Sequence, residues 1–248
     1  MKLLVVLGAA LFLITIGCKK DKENRQECRI TGMTSSTGED YIFTYNAEGK
    51  IVSTAIDGTP SVKFTYTGNT VTSLYVSGTY YNKTTYTINS NGQVTHSRTE
   101  YNTAGTNWAE RVYEYTGAQV TKETLTKNGG FTSTRTYQWN NGNLQTVSFS
   151  NNNNSWQTLA YEYYTDKPYQ PGDILDWDRL MSGVEIFRSK NLVRKYTSTY
   201  QDNTATPPIP ETEITNYSYE FDKDGKILSV TSSSGGSSQT YQYQYECK

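Results

Sequence analysis

The chain has 248 residues, with 23 Lys and Arg against 24 Asp and Glu, and its formal charge of −1 leaves no basic field for nucleic-acid phosphate. Its 22 Tyr and, by direct count, 37 Thr favour strands and argue against a helical bundle. The length suits one all-β domain of the sandwich, barrel or rolled-sheet kind, since such folds commonly run to ~200–250 residues undivided.

Residues Met1 to Gly17 carry an early charge at Lys2 and an apolar run, Leu3 to Ile16, that is shorter than the ~20 residues of a spanning helix. This predicts a signal peptide. Gly17 followed by Cys18 resembles the bacterial lipobox, whose cysteine takes a diacylglycerol and becomes the mature N-terminus; Thr15 stands where that pattern usually has Leu. Several acyl chains at ~0.8 kcal/mol per buried CH₂ would tether the protein stably; the alternative is a secreted protein with Cys18 free. Residues 18–27 are expected to form a solvated linker, with 28–248 as a single rolled β-sheet domain. The Lys19-Lys20-Asp21-Lys22-Glu23 string resembles the tracts that send lipoproteins of Bacteroidota to the outer face of the outer membrane, or it is a plain polar spacer.

With Cys18 acylated, Cys28 and Cys247 remain as an even pair in an oxidising compartment. A bridge between them would stabilise by roughly 4–5 kcal/mol in the chain-entropy model, provided the two ends of the domain meet. Otherwise Cys247, in parity with Tyr241, Tyr243 and Tyr245, is a small apolar residue on a buried strand face.

From Tyr41 a short pattern recurs: aromatic-x-aromatic, a turn with Gly, then an aliphatic residue. Tyr41, Phe43 and Tyr45 precede Gly49 and Ile51; Phe64 and Tyr66 precede Gly68 and Val71; Tyr86 and Ile88 precede Gly92 and Val94. Tyr113 and Tyr115 precede Gly117 and Val120, Tyr137 and Trp139 precede Gly142 and Leu144, and Tyr219 and Phe221 precede Gly225 and Ile227. The first five of these glycines are 19, 24, 25 and 25 residues apart, the length of a hairpin with its connections. Alternation puts the aromatics on a dry face and residues such as Thr44, Lys63, Glu114 and Gln138 on a wet one. Such a sheet covers its aromatic face by rolling into a barrel or half-barrel, an all-β antiparallel fold, more readily than by forming a sandwich. The repeat also resembles the tyrosine-aspartate repeats of large secreted toxins, which wind hairpins into a spiral shell.

After Tyr161 to Tyr163 the texture changes. Asp173 is expected to cap a short helix from Ile174 to Met181 that Gly183 closes, with Ile174, Trp177, Leu180 and Met181 on its apolar face. That helix either plugs the aromatic interior or forms a lid over a ligand groove. Gln201 to Glu211, with Pro207, Pro208 and Pro210, reads as an extended surface loop. Tyr164 to Pro168, Ser189 to Leu192 and the stretch from Tyr217 to Ser234 resemble a domain-of-unknown-function family of Bacteroidota lipoproteins. The resemblance implies a porin-like rolled sheet and an envelope location, and it transfers no catalytic residue.

The sequence offers little for catalysis. His96 is the single histidine, which removes triads and multi-His metal sites, and Asp222 to Gly225 lacks the Glu of a calcium loop because position 231 is Thr. Neither a cofactor nor a metal is expected. Asp173, Asp176, Asp178 and Glu185 are the acids that a glycoside hydrolase would draw on. Exposed aromatics favour binding instead, since Trp and Tyr faces stack on sugar rings, and among Trp108, Trp156 and Trp177 the last is the expected ligand contact. The resulting expectation is a surface-anchored lipoprotein with a non-enzymatic binding or scaffolding role, toward polysaccharide or envelope proteins. The alternatives are a carrier of lipid or another apolar ligand and, less favoured, a glycoside hydrolase.

Overall fold

The computed structural model describes residues 28–151, 154–202 and 209–247; the expected signal peptide, the lipidation site Cys18 and the linker lie outside the described residues. The described chain forms sixteen strands and one helix. The first six strands are β1 (Cys28–Ser35), β2 (Asp40–Tyr45), β3 (Ile51–Ile56), β4 (Thr59–Thr67), β5 (Thr70–Ser77) and β6 (Tyr80–Ile88). Then come β7 (Val94–Glu100), β8 (Trp108–Thr116), β9 (Gln119–Lys127), β10 (Thr132–Asn140), β11 (Asn143–Asn151) and β12 (Asn154–Pro168). Helix α1 (Asp176–Ser182) precedes β13 (Asn191–Asp202), β14 (Ile209–Phe221), β15 (Ile227–Ser234) and β16 (Ser237–Cys247).

Every strand pairs antiparallel with its chain neighbours, and β1 pairs with β16, so the sheet closes completely into a barrel. Among the described strands, closure leaves no exposed edge. The closing register runs from Cys28 opposite Cys247 to Ser35 opposite Tyr241, and the two cysteines form a disulfide with Sγ atoms 2.02 Å apart. Because the strands alternate in direction, the disulfide, the segment bearing α1 and the turns at Gly49, Gly68, Gly92, Gly117, Gly142 and Gly225 share one end of the barrel. We call this the closed end, and the opposite one the open end.

Alternation orients the side chains as the sequence predicts. In β14, Tyr219 is buried and Phe221 half-buried, while Ser218 and Glu220 are exposed. The hairpins at the closed end repeat a finer device. At five of them the return strand carries a one-residue bulge just after its leading aliphatic residue, so that Tyr45 faces Ile51, Ile88 faces Val94, Tyr115 faces Val120, Trp139 faces Leu144 and Phe221 faces Ile227. The second aromatic of a repeat then reaches back to a carbonyl on the preceding return strand. Tyr66 donates to Ile51 O at 2.8 Å, Tyr115 to Val94 O at 2.9 Å, Trp139 Nε1 to Val120 O at 2.7 Å and Tyr163 to Leu144 O at 2.6 Å. Each bond satisfies both a buried hydroxyl or indole N–H and a carbonyl near a bulge.

The leading aliphatic residues form a girdle. Ile30, Ile51, Val71, Val94, Val120, Leu144, Leu192 and Ile227, one from each odd-numbered strand, are all at most 5% exposed. The chain between β12 and β13 fills this girdle, with Leu180 and Val184 buried against it. Gly183 ends α1 at φ 74, and a Cβ there would lie 2.7 Å from Phe64 Cδ1, so both the turn and the close approach require glycine. The helix is therefore a plug inside the barrel, one of the two roles its sequence allows.

Two boundaries differ from expectation. The helix begins at Asp176, with Leu175 rather than Asp173 at its cap position and no side-chain cap. Asp173 instead serves the preceding turn, accepting Leu175 N at 2.9 Å, while its second oxygen accepts Val193 N at 3.0 Å and so ties that turn to β13. The expected loop from Gln201 to Glu211 is also narrower, because β13 and β14 extend until Asp202 pairs with Ile209 and Gln201 with Pro210; residues 203–208 lie outside the described residues.

The outer wall is mainly polar, although Ile42, Val112, Ile214 and Leu228 are also exposed on it. Register places Glu110, Glu114 and Thr116 of β8, Lys122, Thr124 and Thr126 of β9, Thr134, Thr136 and Gln138 of β10, and Thr146 and Ser148 of β11 outward. Ion pairs such as Lys83–Glu100 at 3.4 Å, Arg98–Glu110 at 2.6 Å and Lys122–Glu114 at 2.9 Å lie on the same surface. A membrane-spanning barrel is built the other way round, with an apolar band outside and polar residues within.

Candidate functional site

Above the plug, toward the open end, the lumen holds a cavity of about 670 Å³. Its wall comes from β4 to β10 and its floor from the α1 region. Tyr75 near the end of β5, Tyr80 at the start of β6 and Tyr101 just after β7 stand at the mouth, with Tyr75 and Tyr80 edge-to-face at 5.3 Å. Deeper lie Ser73, Asn82, Thr84, Ser97 and Thr99, and Thr84 and Thr99 share a hydrogen bond of 3.0 Å. These positions have the same inward parity as the aromatics of the repeat, so alternation that dries one end of the lumen makes the other end polar.

Four charged groups face this cavity. Glu123 accepts from Arg111 Nε at 3.2 Å, Arg135 at 3.4 Å and the Tyr137 hydroxyl at 3.2 Å, and is itself almost fully buried. Asp178 projects from α1 into the same space and is exposed to it. Enclosure by the barrel pushes the Asp178 carboxyl above the usual range, Arg135 opposes the shift and Glu123 adds to it. Two guanidiniums thus face two carboxylates, and the set is electrically balanced. Burial also raises the Tyr86 and Tyr113 hydroxyls, which keeps both as hydrogen-bond donors at neutral pH.

The acids singled out in the sequence do not converge. Burial raises the Asp173 carboxyl to about 6 against its two backbone donors and Tyr219. Asp176 accepts from Tyr169, Gly172 N and Arg179, and Glu185 pairs with Arg188. Only Asp178 of the four lines the lumen cavity. Trp177, the expected ligand contact, turns from that cavity toward Tyr41, edge-to-face at 5.1 Å, and Tyr241 at 6.3 Å, where it borders a second cavity of about 260 Å³. Trp108 lies beneath Arg98 on the outer wall, and Trp156 is exposed beside Phe149. His96 points outward from the return strand β7, and Asp222 accepts Asp224 N and Lys226 N within a hairpin turn.

Arg111, Glu123 and Arg135 escaped the sequence reading. Arg111 and Arg135 each stand two residues before an inward tyrosine, Tyr113 and Tyr137, and a charge at inward parity is the signal that marks them. Glu123 is harder to see, since the bulge between Val120 and Lys122 shifts the parity of β9.

No family model matches the chain, and no curated protein matches it. Among solved structures, a porin-like protein from Bacteroides uniformis is similar, at TM-score 0.62 and 14% identity over 88% of this chain and 96% of that one. At that identity the likeness is one of fold, and it agrees with the rolled-sheet architecture that the sequence resemblance implies.

Proposed function

We propose that this chain is a non-enzymatic glycan-binding lipoprotein of the cell surface, with its ligand held in the open half of the barrel lumen. The observation that carries this reading is the 670 Å³ cavity, which joins aromatic ring faces at its mouth to hydroxyls, an amide and balanced charges below. Sugars present the matching chemistry, apolar C–H faces for ring stacking and a rim of hydroxyls that both donate and accept. A lipid or apolar ligand is less suited, because it would bury Arg111, Arg135 and Asp178 against hydrocarbon. Hydrolysis is disfavoured because Asp173, Asp176 and Glu185 are engaged elsewhere and Glu123 is held by three donors.

Anchoring is supported by the Met1 to Cys18 sequence and by the polar outer wall, which suits a barrel in water beside a membrane rather than within one. A tether reaching Cys28 joins the barrel at its closed end, so the open mouth faces away from the membrane. Membership of the Bacteroidota lipoprotein family is part of the same proposal, supported by the sequence stretches quoted above and the likeness of fold.

Asn82→Trp should fill the cavity below its mouth and abolish glycan binding in calorimetry, while the outward control Thr136→Trp leaves it intact. Binding that survives Asn82→Trp in a folded protein places the glycan elsewhere. Cys18→Ala should move the protein from the membrane fraction to the soluble one, and unchanged fractionation overturns the anchor. A scaffold for envelope proteins is the reading left standing if no glycan binds.

A further inference from the structure

We infer that the lumen takes a glycan end-on, receiving one uncharged terminal sugar unit rather than a passing chain. This rests on the glycan reading above and adds to it the mode of recognition. The cavity is blind. Its floor is the α1 segment, pressed against Phe64 at Gly183 and bonded across the barrel end, where Lys190 N donates to Gly142 O at 2.9 Å, Leu144 N to Ser189 Oγ at 3.1 Å and Tyr245 to Pro171 O at 3.0 Å. A crevice on the far side of this floor, beside Gly183 and Glu185, shares no lining residue with the lumen cavity, and the void within the floor that does touch Asp178 and Ile186 is only about 20 Å³, too small for a sugar ring. A polysaccharide therefore cannot thread the barrel, and only a chain end or a short sugar can reach the charged groups.

The charges at that depth select what enters. Asp178 accepts from hydroxyls and Arg111 and Arg135 donate to them, so a ring with neighbouring hydroxyls can bond to both signs at once. Because Glu123 already bridges the two guanidiniums, the cavity has no surplus positive charge to offset an acidic sugar. Tyr75, Tyr80 and Tyr101 at the mouth are placed to stack on the unit that follows.

The test uses the full-length mature protein and titration calorimetry with cello-, malto-, xylo-, manno- and galacto-hexaoses, the shorter members of each series, and a cyclodextrin as the endless counterpart of the malto series. For whichever series binds, affinity should level off within a few sugar units, binding to the long polymer should scale with chain ends, and Asp178→Asn and Arg135→Gln should each weaken it by about tenfold or more. If malto-oligosaccharides bind, the cyclodextrin should not. Affinity that keeps rising with length, polymer binding that follows mass rather than ends, or equal cyclodextrin binding would overturn end-on entry while leaving glycan binding in place. Absence of binding across the panel removes both readings together.

Discussion

At the closed end of the lumen the inward residues are Ile51, Val71, Val94, Val120 and Leu144, sealed by Leu180 and Val184 of the plug. Toward the open end they become Ser73, Ser97 and Glu123 on β5, β7 and β9, with Arg111 and Arg135 on the intervening β8 and β10. Both sets share one sheet and one pleat. The disulfide and the ladder of tyrosine-to-carbonyl bonds lie at the closed end, and polar groups and exposed rings gather at the open end along β5 to β10, whereas on the β1 to β4 side apolar packing continues to Tyr41 and Ile56 against Trp177 and Tyr241. Stability need not be uniform around a barrel, and the open part of the β5 to β10 wall is then free to carry groups that would weaken a core. The proposed separation of stability from binding is open to measurement.

The largest effect should come from the seam. Cys28 and Cys247 are 219 residues apart, and their bridge fixes the first rung of the β1–β16 closure. Cys247→Ser is expected to cost about 5 kcal/mol in the chain-entropy model, read as a lower urea midpoint. A change under about 1 kcal/mol would mean that hydrogen bonding of β1 to β16 closes the barrel unaided.

A matched pair of truncations compares the two ends directly. Leu144 is fully buried in the girdle, so Leu144→Ala should cost about 2–5 kcal/mol. Tyr80, at the mouth, is 55% exposed, and Tyr80→Ala should cost less than about 1 kcal/mol. On the function side the order reverses: Tyr80→Ala should weaken glycan binding and Leu144→Ala, where folded, should not. Equal destabilisation by the two variants would break the division between the ends.

The same comparison shows how far the sequence could be read. Alternation marks the dry face, and Tyr219 against Ser218 is sorted as predicted, because a strand residue can point only to one side or the other. Complete closure was not legible, since pairing Cys28 with Cys247 depends on how many strands the curl accumulates and not on any local pattern. The cavity was half legible. Asp178 and Trp177 are adjacent on one short helix, and only its setting in the barrel decides that the carboxylate meets the lumen while the indole meets Tyr41. Arg111 and Arg135 share the inward parity of Tyr113 and Tyr137 but are not singled out by it, because the sequence does not say at which end the interior stays wet.

The smallest effect concerns the hydrogen-bond ladder that backs the girdle. Tyr115 is half-buried and donates to Val94 O at 2.9 Å, beside the bulge where Thr87 faces His96 and Ile88 faces Val94. Removal of the hydroxyl leaves the ring packing intact and takes away one neutral hydrogen bond, which is worth about 0.5–1.5 kcal/mol. Burial raises this hydroxyl to about 12, so it remains a donor throughout the neutral range and the cost should not vary between pH 6 and pH 9. Tyr115→Phe is therefore expected to lower stability by about 1 kcal/mol at both pH values, with glycan binding unchanged. Val94 O lies on the dry side of the plug and Arg111 on the wet side, on adjacent strands; a Tyr115→Phe variant that lost binding along with stability would show that the two ends are mechanically coupled through β7 and β8.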